Sequence, residues 1–591
     1  MSDFIYSSIP QADGSLSAHI RSIYHHDQPD VSEFHGSWGS LAVSRNLYHG
    51  FQPMETGTHI VAVIGGPVLY FRDNLFLTGD DPVAGTTAIY ERWRKGAIRW
   101  DEDLSGPFVI LVVNKNTKRI TCVTDLMMFI PVFQYEQDSV IMLGTHVDAL
   151  AKAANQGYKL DPVSLVDFIL NDVVTYPYTS YTKIRQCRPA AIHDIENTEK
   201  GFHSNKAEAY WQPQESNPYA GISEAAAALR EGVQNFINRV TEGMKEVAQF
   251  LSAGEDTRVI AGLLPRKLKR DAFVFLDSMN REGRIAGKVA GKYGVDFHAV
   301  FRGRTHYLDM MPEASDLIGS GHQFHHAHSL GLHKTYDLDR YPAVFGGYLS
   351  DVLLKAYRVK KMSFFQILRF MPQFEEKNHS PVKAGMKTGG TLFKFGEEIL
   401  ERRAERLTDI STGRRRSIAE WFYLWPMSMI SSIPNLSANR RLFRSYEPFI
   451  CKEIVKISSA VPTKWKLNRR LFNQAFRPTL RPSCWIFHAD GRLPYFPWWV
   501  NTAVQFPIWV GRLIGIRTGI IKGNQGPWAD WNRIMNSEVW QREFFKYGKG
   551  LEAMRRKLAF DVENINGRSS LTRDQKCNLL QAIYFLSISN I

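Results

Sequence analysis

Up to about residue 205, apolar residues come in short runs at 60–64, 108–113, 120–123 and 140–143, each closed off by turn residues. Runs of that length, rich in β-branched residues, predict strands. Residues 206–222 are polar and contain Pro213 and Pro218, the pattern of a linker. From Ser223 the period turns helical, with Leu229, Val233, Phe236, Ile237 and Val240 on one face and Ser223 as the expected cap. Strand and helix patterns then alternate: strand 247–251, helix 258–264, strand 272–276, helix 280–293 stopped at Gly294, and strand 295–300. In the longer helix Ile285, Ala286, Val289 and Ala290 point inward. Such alternation predicts a doubly wound parallel sheet. The expected organisation is a domain over 1–205, the linker 206–222, a second domain over 223–500, and a helical extension over 501–591 that the pattern leaves unplaced.

Between strand 247–251 and helix 258–264 stand Ser252, Ala253, Gly254, Glu255, Asp256 and Thr257. Small residues let the backbone turn tightly there. The loop amides and the helix N-terminus aim free N–H groups at one spot, a layout suited to an anion. Ser252 and Thr257 add hydroxyl donors. Asp256 is suited to hold Mg²⁺ that carries phosphate, not to touch phosphate itself. In such sheets ligands bind beyond the carboxyl ends of the strands, near the point where strand order reverses.

The loop resembles the pyrophosphate loop, Ser-Gly-Gly-x-Asp-Ser, of the asparagine synthetase family. Ser252, Gly254 and Asp256 match it, Thr257 stands for Ser, and Ala253 stands for Gly. Further on, Glu282, Ala286 and Ala290 match an acidic residue before an Ala-x-x-x-Ala helix. Phe345, Gly347, Ser350 and Asp351 match the family's next segment, where Tyr348, Leu349 and Val352 replace an acid, a Gly and a Glu. A last match runs from Glu447-Pro448-Phe449 through Val461-Pro462 to Ala475-Phe476. It puts Arg469 at the family's active-site Lys, Tyr446 at an Arg and Cys451 at an Asp. The resemblance implies an ATP-pyrophosphatase-type domain. ATP would be held by Leu251, Ser252, Gly254, Asp256, Thr257, Val274, Gly346 and Gly347, with Val274 and Phe275 beside adenine. Asp256 and Asp351 would hold Mg²⁺ through the phosphates, and Asp351 and Arg469 would act in catalysis.

The N-terminal half is similar to that family's glutaminase domain, an αββα sandwich of the N-terminal-nucleophile type. The similarity rests on Leu104–Phe108, the run 125–135, the run 143–150 and the pair Tyr210-Trp211. The family's nucleophile is a cysteine exposed by removal of Met, acting with its own amino group as base. Position 2 here is Ser2, and the segments that hold glutamine have no counterpart, so a structural, non-hydrolytic domain is expected. Family relatives without the thiol include β-lactam synthetases and lasso-peptide cyclases, which close rings within one substrate. The resemblance as a whole implies a ligase that activates a small-molecule or peptide carboxylate as an acyl-adenylate. An amine or ammonia then forms the amide, with release of AMP and pyrophosphate. Departures at Ala253, Val352, Tyr446 and Arg469, together with the missing thiol, leave a second reading open: a nucleotide-binding pseudoenzyme or scaffold.

Composition adds limits. The chain has 591 residues, enough for two or more full cores. Five scattered cysteines suggest a reducing compartment and form no zinc pattern, and no signal peptide or spanning segment is seen, so a cytoplasmic location is expected. The net charge of +14 concentrates in patches such as 266–270, 402–406 and 414–416, which read as solvated helix faces; no nucleic-acid motif accompanies them. His322, His325, His326, His328 and His333 fit a surface or pocket-lining loop better than a metal site. The tryptophan-rich stretch 496–523 reads as a pair of core helices, with contact to a membrane surface as the alternative.

Overall fold

The computed structural model describes residues 2–157, 159–199, 201–359, 371–374, 380–383, 395–521, 524–558 and 571–588. The expected N-terminal strands form two stacked antiparallel sheets. In a six-stranded sheet, Phe4–Ser7 lies between Val140–Gly144 and Gly39–Ser44. In a seven-stranded sheet, Phe108–Asn114 lies between His59–Gly65 and Ile120–Thr124. These central strands are apolar on both faces because both faces are covered. Phe4, Leu41, Ile60, Val109, Leu111 and Leu143 fill the space between the sheets. Helices Ser15–Arg21, Val147–Ala153 and Pro162–Asn171 pack outside the first sheet against Ile5, Ala42 and Met142. Helix Ala84–Arg94 and the following half of the chain cover Val61, Val63, Ile110 and Val112 of the second. The result is a helix–sheet–sheet–helix sandwich.

Within residues 206–222 only Glu208–Ala209 is a strand, pairing with Ala191–Thr198. The helix that follows spans Ile222–Val240 with Gly221 at the cap position, two residues earlier than the sequence suggests. Ser223 therefore lies inside the helix, and its hydroxyl accepts from Gln474 Nε2 at 2.7 Å. That bond ties the helix to Arg470–Leu480.

The second half is built on a five-stranded sheet in the order Asp296–Phe301, Lys269–Leu276, Glu246–Phe250, Val344–Phe345, Ser445–Tyr446, every pair parallel. The chain moves outward from Glu246–Phe250 through helices Glu255–Leu263 and Arg281–Tyr293. It then returns to add Val344–Phe345 on the other side. Strand order reverses there, so the carboxyl ends of Glu246–Phe250 and Val344–Phe345 flank the crevice where such sheets bind ligands. Local chemistry sets the second helix: the Asn280 side chain accepts from Gly283 N–H at 3.2 Å, and Gly294, at φ 63°, supplies the left-handed stop.

Two expectations are corrected. The residues beyond 500 do not form a core helix pair around the tryptophans. Helix Trp498–Arg517 buries only Asn501, Gln505 and Gly515. The buried C-terminal pair is instead Gly548–Leu558 with Arg573–Ile588. It folds back on the N-terminal sandwich, where Asn578 Nδ2 donates to the Phe168 carbonyl at 3.1 Å and Gln575 Nε2 to that of Leu170 at 3.0 Å. The histidine run is not a surface loop either. His325 and His333 are buried, and the rings of His325 and His328 pack on Trp531 and Trp528. Burial pushes His325 down to about 3 and His322 to about 4, so both are neutral aromatic filling. Among the described residues the one group spaced for a metal ion is Asp13, Glu33 and His35, away from this run.

Candidate functional site

The crevice at the strand reversal gathers most of the residues singled out from sequence. Leu251 N–H donates to the Phe273 carbonyl at 2.9 Å, which sets Val274 beside the start of the loop. Gly347 packs so closely on the loop helix that a Cβ there would lie 3.1 Å from Asp256 Cβ. Loop residues Asp256 and Thr257 thus lie against Gly347, and Asp256 and Asp351 meet on Lys355.

The loop amides are engaged internally. Ser252 N–H donates to Thr257 Oγ1 at 3.2 Å, Gly254 N–H to Ser252 Oγ at 3.0 Å, and Ala253 N–H to Glu282 Oε1 at 2.6 Å. Arg258, fully buried, braces the loop from behind by donating to the carbonyls of Ala253, Ile486 and Phe487. These bonds give the loop a fixed shape.

The crevice is lined by charge that sequence reading passed over. Lys355 Nζ lies 3.0 Å from Glu255 Oε1 and 3.0 Å from Asp351 Oδ1, and also pairs with Asp256 Oδ1. Its ammonium is buried and sits over the Phe472 ring. Glu255 is in turn paired with Arg469 Nε at 2.8 Å and Arg492 Nη1 at 3.1 Å. Arg492 continues to Asp490 at 2.7 Å, and His488 Nδ1 reaches the same carboxylate at 2.9 Å. Burial works against each charge, yet the cations hold Glu255 well below the ordinary carboxylate range, and the three carboxylates hold Lys355 above its ordinary value. Asp256 goes the other way: burial pushes it up to about 6, against the pull of Lys355. Arg469 sits at φ 60° and Asn468 at φ 54°, two successive non-glycine residues in the left-handed region. That backbone costs energy, and here it aims the guanidinium into the crevice.

The two aspartates assigned to Mg²⁺ do converge on one cation, but the cation is Lys355. Mg²⁺ needs oxygen ligands at about 2.0–2.1 Å in near-octahedral array. An ammonium within hydrogen-bonding distance of those same oxygens takes that volume, so the residues as arranged do not fit the ion. Gly346 departs from expectation as well: a Cβ there would lie 2.2 Å from Glu447 Oε1, so the space beside this glycine belongs to Glu447. Glu447 is buried, accepts from Tyr348 N–H at 2.9 Å, and is pushed up to about 8 by burial.

In the N-terminal sandwich, Ser2 lies two residues before strand Phe4–Ser7 and is fully buried. Its Oγ accepts from Gly65 N–H at 2.9 Å, and its carbonyl accepts from Arg440. Asp3 beside it is paired with Arg441 Nη2 at 2.7 Å and Arg440 Nη2 at 3.1 Å. No thiol substitutes for the hydroxyl: burial pushes Cys187 up to about 12 and Cys122 well above its usual value.

Residues 43–211 match the family model of a glutamine amidotransferase domain. The N-terminal sandwich is therefore of the amidotransferase type. No curated protein matches the chain. Among solved structures, the chain is similar to the allosteric regulatory enzyme of purine biosynthesis at 9% identity, over 51% of this chain and 80% of that one, with a TM-score of 0.23. It is also similar to glutamine phosphoribosylpyrophosphate amidotransferase from B. subtilis at 7% identity, over 51% and 91%, with a TM-score of 0.22. A third is the NH3-dependent NAD synthetase from Campylobacter jejuni at 14% identity, over 34% and 93%, with a TM-score of 0.19.

Proposed function

We propose that this chain is an asparagine-synthetase-like ligase, AMP-forming, that makes an amide without hydrolysing glutamine. The observation that carries this reading is the meeting of loop 252–257, Gly346–Gly347, Asp351 and Arg469 at the strand reversal of a parallel sheet. The domain it follows is of the amidotransferase type, and the thiol that would release ammonia from glutamine is replaced by a buried Ser2.

In this reading ATP enters at the loop, with its adenine toward Leu251 and Val274 and its phosphates toward Ser252, Thr257 and the N-terminus of Glu255–Leu263. A substrate carboxylate oxygen attacks the α-phosphorus, the bond to the bridging oxygen breaks, and pyrophosphate leaves. An amine nitrogen then attacks the acyl carbon, loses a proton, and expels AMP. Lys355 and Arg469 are the cations placed to offset charge growing on the leaving pyrophosphate. Arg469 does so with a guanidinium oriented by its pairing with Glu255.

A second reading has its own observation. Lys355 is already neutralised by three carboxylates, and the loop amides already have acceptors. That is what a nucleotide-binding pseudoenzyme or scaffold would retain after losing chemistry. ATP–pyrophosphate exchange across a panel of carboxylic acids, peptides and sugar acids separates the two. The ligase gives exchange with one class, abolished in Arg469→Met. Calorimetric ATP binding that Ser252→Ala/Thr257→Val removes, with no exchange from any carboxylate, leaves the scaffold. No ATP binding in the wild type defeats both.

A further inference from the structure

Helix Trp498–Arg517 is turned inside out for a soluble protein. An amphipathic helix ordinarily buries its apolar residues and exposes its polar ones. Here Asn501 and Gln505 are buried, while Trp499 is 62% exposed, Ile514 55% and Ile516 62%. The polar residues face inward for a reason: Asn501 Oδ1 accepts from Leu493 N–H at 2.7 Å, and its Nδ2 donates to the Phe496 carbonyl at 2.9 Å. That clamp fixes the helix on the turn before it and leaves its apolar side pointing away from the protein. Ile520 just after the helix is 81% exposed, and Trp485 on the adjoining turn is 74% exposed. Exposed apolar groups scattered singly are ordinary; a run along one helix with a neighbouring turn is not.

The charge of this face selects its partner. Helix Trp498–Arg517 contains no Asp or Glu, and it carries Arg512 and Arg517. Partial burial and then Arg281, from the neighbouring helix, depress the basicity of Arg512 while Asp490 acts the other way, so a second element adds positive charge here. Tryptophan and isoleucine on the outward face, with Arg512 and Arg517 beside them and the nearby carboxylate of Asp490 already paired with Arg492, is the composition of a helix lying in a lipid interface. No helix among the described residues is long and apolar enough to cross a membrane, so the geometry is in-plane. A second copy is a poorer occupant. Two-fold pairing would set Arg512 and Arg517 against the same patch, in a chain that already carries +14.

We propose that Trp498–Arg517 seats this protein on an anionic phospholipid surface. The face adjoins the crevice. Ile486 and Phe487, whose carbonyls accept from Arg258, follow Trp485 directly, and Asp490 and Arg492 lie on the same stretch. The site would thus open close to the membrane plane.

The test uses the full chain with extruded vesicles of phosphatidylcholine alone and of phosphatidylcholine with about a third phosphatidylglycerol. Sedimentation should pellet the wild type with the anionic vesicles and leave it mostly in solution with neutral ones. Binding should fall several-fold between 50 mM and 500 mM salt. Ile514→Ser/Ile516→Ser and, separately, Arg512→Gln/Arg517→Gln alter exposed or half-exposed positions, so their melting curves should match the wild type while vesicle binding drops at least fivefold. A wild type that stays in solution with anionic vesicles overturns the proposal. So does a folded Ile514→Ser/Ile516→Ser protein that pellets like the wild type. Sedimentation velocity supplies the competing outcome: a wild-type dimer made monomeric by the same substitutions, with no vesicle binding in either, assigns the face to a second copy and overturns the lipid reading.

Discussion

Lys355 Nζ lies 3.0 Å from Asp351 Oδ1, one helical turn earlier, and the same ammonium closes on Glu255 and Asp256 across the crevice. A side chain of the protein thus stands where two aspartates would otherwise share a divalent ion. Removing it should have two effects. Lys355→Met leaves Glu255 and Asp256 buried without one of their cations, and breaking a buried charge cluster costs about 3–5 kcal/mol. Urea unfolding in EDTA should show that loss. Mn²⁺ paramagnetic resonance should show an ion bound by Lys355→Met that Asp256→Ala then eliminates, and none at this site in the wild type. Asp256-dependent Mn²⁺ binding in the wild type would sink the idea. A further consequence is that nucleotide binding by the wild type should lose little affinity in EDTA.

Glu447 gives the crevice a pH dependence. Its carboxyl is pushed up to about 8 in the fold, against an unfolded value of about 4.3. Above the unfolded value the native state holds a proton that the unfolded chain has released, so unfolding is favoured as pH rises from about 4.3 to about 8. The cost is on the order of a few kcal/mol at the upper end of that window. Glu447→Gln keeps the shape and removes the titration. Its stability relative to wild type should be unchanged near pH 4 and should grow steadily toward pH 8, read from urea midpoints at several pH values. A difference that stays flat across that range would show that Glu447 does not titrate as argued.

The loop and its sheet were legible because each element there is short and local. The five-residue strand, the small residues of 252–257 and the stop at Gly294 each act within a few positions. Lys355 was hidden because its partners lie 99 and 100 positions away, and only its i,i+4 spacing from Asp351 hinted at a pairing. Glu255 was equally silent: a charged residue at a loop position reads as exposed until Arg469 and Arg492 arrive from remote segments. The helix after residue 497 misled for a different reason. Apolar residues on several sides look like a core helix, and the opposite signal, Asn501 and Gln505 four apart, is visible only once burial is known. Leu349 holds a left-handed backbone, φ 66°, a conformation that favours glycine, and nothing local in the sequence announced it.

Asp3 is one of the joints between the two halves. It accepts from Arg440, Arg441, Tyr24 and Thr145 in a buried network. Burial alone would raise its pKa, and the two guanidiniums outweigh it, holding the carboxyl well below its ordinary range. The native state therefore stays ionised where the unfolded chain takes up a proton. The stabilisation is present above about pH 3.9 and is lost as pH falls through the folded value. Asp3→Ala leaves both arginines buried with one fewer counter-charge, and about 3–5 kcal/mol of stability should go with it at pH 7. Differential scanning calorimetry should show a lower transition than in the wild type, with the gap closing at strongly acid pH. An unchanged melt at pH 7 would mean the two halves are not held here.

Ser2 bears on the source of nitrogen. Its Oγ is fully buried and accepts from Gly65 N–H at 2.9 Å, while its carbonyl is held by Arg440. A hydroxyl needs a neighbouring base to become a nucleophile, and an activated thiolate is stronger from the start. Two comparisons follow. Ser2→Ala should release glutamate from glutamine no more slowly than the wild type, both at the buffer rate, and should cost about 1 kcal/mol of stability for the lost hydrogen bond. Once a carboxylate substrate is in hand, amide formation should run on ammonia or an amine and be indifferent to added glutamine. Glutamate release by the wild type above the Ser2→Ala rate, measured by coupled glutamate oxidation, would restore the N-terminal domain as a glutaminase and move the source of nitrogen back to glutamine.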